Sequence, residues 1–382
     1  MTHSLYIHIP FCKSRCVYCG FFSTTQLSLH ERYVAALCRE MRLAALPSGH
    51  GVDTIYLGGG TPSVLPVAAL ARILDAAHAA YNVSPAAEVT VECNPDDVTA
   101  KPELVRLLAG GNAGRPLRVS MGAQTFSDGR LRRLGRRHTA RQVTRAVEVL
   151  RGAGVENISL DLIYGFPGET LRQWDADVSA AIDLRPQHLS AYCLSYEEDT
   201  PLWRQLREGQ LTPADEETER SMYYHLADRL ADAGYEHYEI SNFALLSGGQ
   251  AVSPFRSRHN SGYWHDVPYI GLGAGAHEYS GSERRWNVAD VSAYISAIDS
   301  GRRPQQVERL DAATRYDEAV MLRLRTREGL PLGLLTAEQR SYCLRQAAPF
   351  IASGLLRRNG DSLCLGRDAL FVSDMVISSL MS

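Results

Sequence analysis

Short stretches of alternating apolar and polar residues give way, again and again, to apolar residues at helical spacing. Residues 5–9, 54–57, 88–93, 117–122, 158–164 and 188–194 read as strands. Between them, 29–46, 67–80, 102–108, 140–152 and 171–184 read as helices. Six strand–helix units in this order predict an α/β fold of parallel strands joined by crossover helices. A closed eight-unit barrel is one outcome of the pattern. Ligands of such sheets sit beyond the carboxyl ends of the strands, so strand ends are where chemistry is expected.

The later chain changes character. Thr212-Pro213 opens an amphipathic helix over 214–233, and 235–244 reads as strand and loop covering the barrel. Ser247-Gly248-Gly249-Gln250 reads as a turn, and 270–277 is a Gly/Ala loop that either approaches a ligand or simply turns. A helix over 291–300 and a linker at 301–304 lead to helices over 311–325 and 336–353. A hairpin over 355–365 and a helix over 369–381 complete a small helical, winged-helix-like C-terminal domain. The expected division is therefore a barrel over 1–240, a cover and connecting segment over 241–304, and the small domain over 305–382.

Composition narrows the function classes. The formal net charge of −3 disfavours a nucleic-acid partner, because phosphate binding needs concentrated Lys and Arg. No stretch has the apolar length of a membrane span, and Met1–Phe11 hold no signal peptide. Unpaired cysteines fit a reducing, cytoplasmic setting.

The richest chemistry lies in Cys12-x-x-x-Cys16-x-x-Cys19. Three thiolates on one loop can each hold a different iron of a cubic cluster, whereas clusters closed by protein use four cysteines. The fourth iron is then open to a small molecule. Lys13 and Arg15 are expected to hold negative charge there. Cys-x-x-Cys also suits zinc or a redox dithiol. A zinc site, however, wants a second ligand pair, and Cys38, Cys93, Cys193, Cys343 and Cys364 are scattered through apolar runs.

The segment from Tyr6 through Cys12 to Gly20-Phe21 resembles the signature of radical S-adenosylmethionine (SAM) proteins. It is most similar to the branch containing oxygen-independent coproporphyrinogen III oxidase. The resemblance implies a partial, six-unit (β/α)6 barrel, a [4Fe-4S] cluster held by Cys12, Cys16 and Cys19, and SAM chelated at the open iron. It further implies that SAM is contacted by Tyr6, Gly59, Gly60, Thr61, Glu92, Gln124, Arg136 and Asp161, with Tyr18 against the adenine. From the residues alone, Gly58-Gly59-Gly60 could be only a turn, and the basic run 132–138 only a solvated face. Glu92 and Asp161 stand out because an ionisable side chain in an apolar strand is costly without a partner.

His259-Asn260-x-x-Tyr263-Trp264 sets an imidazole, a phenol and an indole within six residues. From chemistry alone this is cover-layer packing around a satisfied core histidine. The motif nevertheless resembles the signature of the HemW heme chaperones, which makes His259, Asn260, Tyr263 and Trp264 candidate heme contacts. That resemblance implies heme as a third cofactor and heme-accepting proteins as partners, met at the membrane surface. The alternative is a radical SAM oxidoreductase, the coproporphyrinogen oxidase or another porphyrin-modifying enzyme, with reductive SAM cleavage. Two departures weigh against the oxidase: Phe21 stands where it carries a further cysteine, and only Met1–Phe11 precede Cys12.

Overall fold

A computed structural model of the chain describes residues 2–110 and 117–382; Met1 lies outside the described residues. Six parallel strands form the expected partial barrel: β1 (Thr2–Ile9), β2 (Gly51–Gly59), β3 (Val83–Cys93), β4 (Arg118–Gln124), β5 (Ile158–Tyr164) and β6 (His188–Cys193). Helices His30–Leu43, Val67–Ala80, Ala140–Gly152 and Leu171–Asp183 cover the outer face.

The alternation within each strand builds two different surfaces. Leu5, Ile7 and Ile9 of β1, Val119, Met121 and Ala123 of β4, and Ile158, Leu160 and Leu162 of β5 are buried in one continuous core. At roughly 1.5–3 kcal/mol for each large side chain withdrawn from water, this layer dominates the stability of the barrel. The intervening residues face inward and are mostly polar: Tyr6 and His8, Thr54 and Tyr56, Arg118 and Ser120, Ser159 and Asp161, His188 and Ser190. A closed (β/α)8 barrel fills its centre with branched aliphatics. This one keeps a polar lumen.

The sheet extends beyond the six-strand expectation. Among the described residues it has twelve strands, continued on one edge by β7 (Tyr235–Glu239) and β8 (Asn242–Leu245). The other edge carries β9 (Tyr269–Leu272), β10 (His277–Tyr279), β11 (Glu283–Asn287) and β12 (Gln305–Arg309). β9 runs parallel to β1, and the remaining additions are antiparallel. Residues 241–304, expected as a cover and connector, thus supply β8–β11 to the barrel's own sheet. The small domain begins only after Arg309. It consists of helices Ala312–Leu324, Ala337–Ala352 and Ser373–Leu380 around β13 (Leu330–Pro331), β14 (Leu356–Asn359) and β15 (Ser362–Leu365). Its own core runs from Tyr316 to Leu380.

The 270–277 loop turns rather than reaching for a ligand. A Cβ on Gly271 would sit 1.9 Å from the His277 carbonyl oxygen, and one on Gly273, at φ +99°, 2.4 Å from the Tyr33 hydroxyl. Only glycine fits either place.

Candidate functional site

The cysteine loop leaves β1 and is tied down by backbone bonds. Cys12 N–H donates to the Thr24 carbonyl (2.9 Å) and Val17 N–H to that of Leu134 (3.1 Å). The Lys13 ammonium pairs with Asp97 in the helix Pro95–Ala100, fastening the loop, while the charge of the exposed Arg15 acts on Cys19, lowering its pKa against the larger effect of burial. Thr61 and Arg136 reach sulfur directly: the Thr61 hydroxyl lies 3.6 Å from Cys12 Sγ and Arg136 Nη1 3.6 Å from Cys16 Sγ, and Ser23 also bonds the Cys12 thiol. Arg136 is set by bonds from Nη2 to the Asn94 amide oxygen and the Gly122 carbonyl, both 2.8 Å. Its neighbours Arg132 and Arg133 are exposed, as a solvated basic face would be, whereas Arg137 pairs with Asp96 (3.1 Å) and lines the cavity rim.

All three cysteines line one cavity of about 730 Å³ at the carboxyl ends of β2–β6. Tyr18, Gly59, Gly60, Thr61, Glu92, Gln124, Arg136, Asp161 and Asn260 line it as well. Gly59 and Gly60 are required by protein packing: Cβ atoms there would meet the His8 ring at 2.4 Å and the Ile9 carbonyl at 2.7 Å. Gln124 sits at φ 65°, just past an irregularity in β4. A non-glycine residue held in that region is found preferentially where function over-determines the backbone.

Tyr6, His259, Tyr263 and Trp264 lie outside the lining. Tyr6 donates its hydroxyl to His8 Nδ1 (2.9 Å), since His8 Nε2 donates to the Phe22 carbonyl (3.0 Å). His259 is 1 % exposed and stacks on Tyr56 at 5.0 Å. Nδ1 of His259 is bonded with the Thr54 hydroxyl and Nε2 with the Tyr263 hydroxyl, both 2.8 Å. Burial lowers its pKa to about 3, so the ring is neutral. Trp264 meets Tyr238 edge-on at 5.9 Å. The motif therefore underpins the lumen, and only Asn260 opens onto it.

Electrostatics single out two carboxyls. Burial raises the pKa of Glu92 to about 7, against the lowering effect of bonds from the Tyr56 hydroxyl (2.7 Å) and the Gly59 N–H (3.1 Å). Burial likewise raises that of Asp161, which accepts from the Ser120 hydroxyl at 3.4 Å. Between the ordinary carboxyl range and pH 7 the folded chain keeps a proton on Glu92 that the unfolded chain has released. Stability therefore falls as pH rises through that window and stays low above it. The ceiling is about 3 kcal/mol, reduced by the opening onto the cavity. Glu92→Gln is expected to raise the thermal midpoint at pH 8 and to change it little at pH 5. Equal shifts at the two pH values would remove this account.

A family profile described as the Radical SAM superfamily matches residues 6–181, and the HemN C-terminal domain matches 310–372. Heme chaperone HemW of Mycobacterium tuberculosis (strain ATCC 25618 / H37Rv) is 36% identical over 387 residues, covering 99% of this chain and 94% of that protein. The chain belongs to the HemW family of radical SAM proteins. HemW of Lactococcus lactis is also 36% identical, across 86% of this chain and 83% of its own. HemW of Escherichia coli shows 36% identity, across 72% and 69%. In fold, the chain matches coproporphyrinogen III oxidase (HemN) from Escherichia coli, a radical SAM enzyme, with a TM-score of 0.83 at 20% identity. That match covers 100% of this chain and 90% of the other.

Measured against the expectations from sequence, this HemW-family chain adds Tyr56, Arg118, Ser120 and Ser190 to the cavity. Their signal was available in the polar members of the period-two pattern, as in Arg118-x-Ser120-x-Gly122-x-Gln124.

Proposed function

We propose that this chain is a heme chaperone that binds a [4Fe-4S] cluster, SAM and heme, and passes heme to acceptor proteins. Cys12, Cys16 and Cys19 would hold the cluster, and the chemistry of the donor set fits. Three thiols face one cavity, with the Thr61 hydroxyl and the Arg136 guanidinium positioned to donate toward sulfur. The cluster supplies an iron able to bind the amino-acid end of SAM and an electron source. SAM would lie along Gly59, Gly60, Thr61, Glu92, Gln124, Arg136 and Asp161, with Tyr18 flanking, and Tyr6 would act through His8 from below. Reduced thiols point to the cytoplasm, with acceptors met at a membrane surface; no helix among the described residues is long and apolar enough to cross a membrane.

The observation that carries the reading is the place of Asn260, which brings the His-Asn-x-x-Tyr-Trp motif to the wall of the thiol-lined cavity. Phe21, 71% exposed on the same rim, supports a chaperone over the oxidase, which carries a thiol at that position. Anaerobic titration of the reconstituted chain with heme is expected to give a Soret band that His259→Ala abolishes. If His259 Nε2 ligates iron, it must first leave Tyr263. Tyr263→Phe should then strengthen binding by roughly tenfold, the worth of one buried hydrogen bond. Weaker binding in that variant would assign the contact to the phenol instead.

A further inference from the structure

Arg118 begins β4 at the deep end of the lumen. It is 4% exposed and lines the cavity. Among the described residues its Nε is buried without a hydrogen-bond partner. Thr90, directly opposite on β3, also holds a fully buried hydroxyl without a partner. Two adjacent unsatisfied donors beneath an open cavity are rare in a folded protein, because each is expensive to bury alone. The acids nearest in effect, Glu92 and Asp161, have pKa values raised by burial, which leaves the guanidinium less neutralised.

A guanidinium offers a planar fork suited to a carboxylate. The amino-acid end of SAM is one source, but the Arg118 side chain leaves the backbone well below the level of the thiols. Gly122, at the level of Arg136 and Cys16, lies four residues further along β4, roughly 13 Å away at a strand's rise. We propose that Arg118 anchors a carboxylate side chain of the tetrapyrrole, fixing its orientation below the SAM level; this rests on the heme-chaperone reading of the same cavity.

The test compares iron protoporphyrin IX with its dimethyl ester, titrated into the full reconstituted chain and followed by absorption. The wild type is expected to prefer the free acid by at least about tenfold, the ordinary worth of a charge-assisted bond. Arg118→Gln should lose that margin while keeping its affinity for the ester and for SAM; Arg118→Lys should keep part of it. A wild type that binds both forms equally overturns the proposal and leaves the heme-chaperone reading standing, and that comparison needs no variant to fold. An Arg118→Gln chain that keeps the margin but loses SAM reassigns the guanidinium to SAM's carboxylate and also overturns it. Binding of neither tetrapyrrole by the wild type removes the heme reading and the proposal together.

Discussion

Serine in place of Cys12, Cys16 or Cys19, one at a time, is expected to abolish cluster loading. Iron and acid-labile sulfide after anaerobic reconstitution should fall from about four of each per chain toward zero. The thiolate is the ligand, and a hydroxyl at the same place neither ionises nor bonds iron comparably. With three protein ligands, as proposed, the loss of one would leave two, and half of the cube would be unheld. The informative control is Cys193, which lines the same cavity. It sits at the end of β6, apart from the loop that carries the other three, and burial and the neighbouring Glu219 carboxylate push its pKa up to about 12. Cys193→Ser should load as the wild type does. Loss of iron in that variant would mean that every corner of the cube is capped, and the open iron on which SAM binding depends would be gone.

How far the fold could be read from sequence depended on how local its causes were. Thr139-x-x-Gln142, Thr170-x-x-Gln173 and Thr336-x-x-Gln339 each form a capping box, so those helix starts are written in four consecutive residues. The three cysteines are equally local, and the cavity they line is where strand ends should place it. The lumen was harder to read. Glu92 and Asp161 are conspicuous as acids among aliphatics, whereas nothing local singles out Arg118 at the start of its strand. Register places Arg118 opposite Thr90 and inside the barrel. The sheet's two extensions were illegible for a similar reason. β8 pairs with β6, and β9 with β1, across long sequence separations, and no local pattern encodes such partners. The motif at 259–264 was read for its ring chemistry, but the bonds that occupy both nitrogens of His259 come partly from Thr54, two hundred residues earlier.

Glu40 shows the same blindness at its largest energetic scale, because on sequence it is one more acid in an amphipathic helix. In the structure it is fully buried. One oxygen accepts from the Gly273 N–H (2.7 Å) and the Tyr294 hydroxyl (2.6 Å), the other from the Asn287 amide (2.7 Å) and Arg303 Nε (3.1 Å). These bonds clamp the helix His30–Leu43 to the turn after β9, and so hold β9 against β1. β1 carries His8, whose ring fills the space that a side chain at Gly59 would need. Glu40→Ala would leave the Gly273 N–H and the Tyr294 hydroxyl without their acceptor in the core, and Arg303 with Glu278 as its remaining acid. Breaking a buried pair from one side costs about 3–5 kcal/mol, so a large fall in thermal midpoint is expected. Glu40→Gln, which keeps the shape and one acceptor, should lose roughly half as much. Because the clamp sits behind the wall of the cavity, Glu40→Ala at temperatures where it remains folded should also weaken SAM binding, whereas a loss below about 1 kcal/mol with unchanged SAM affinity would show that water replaces the carboxylate and that β9 needs no clamp.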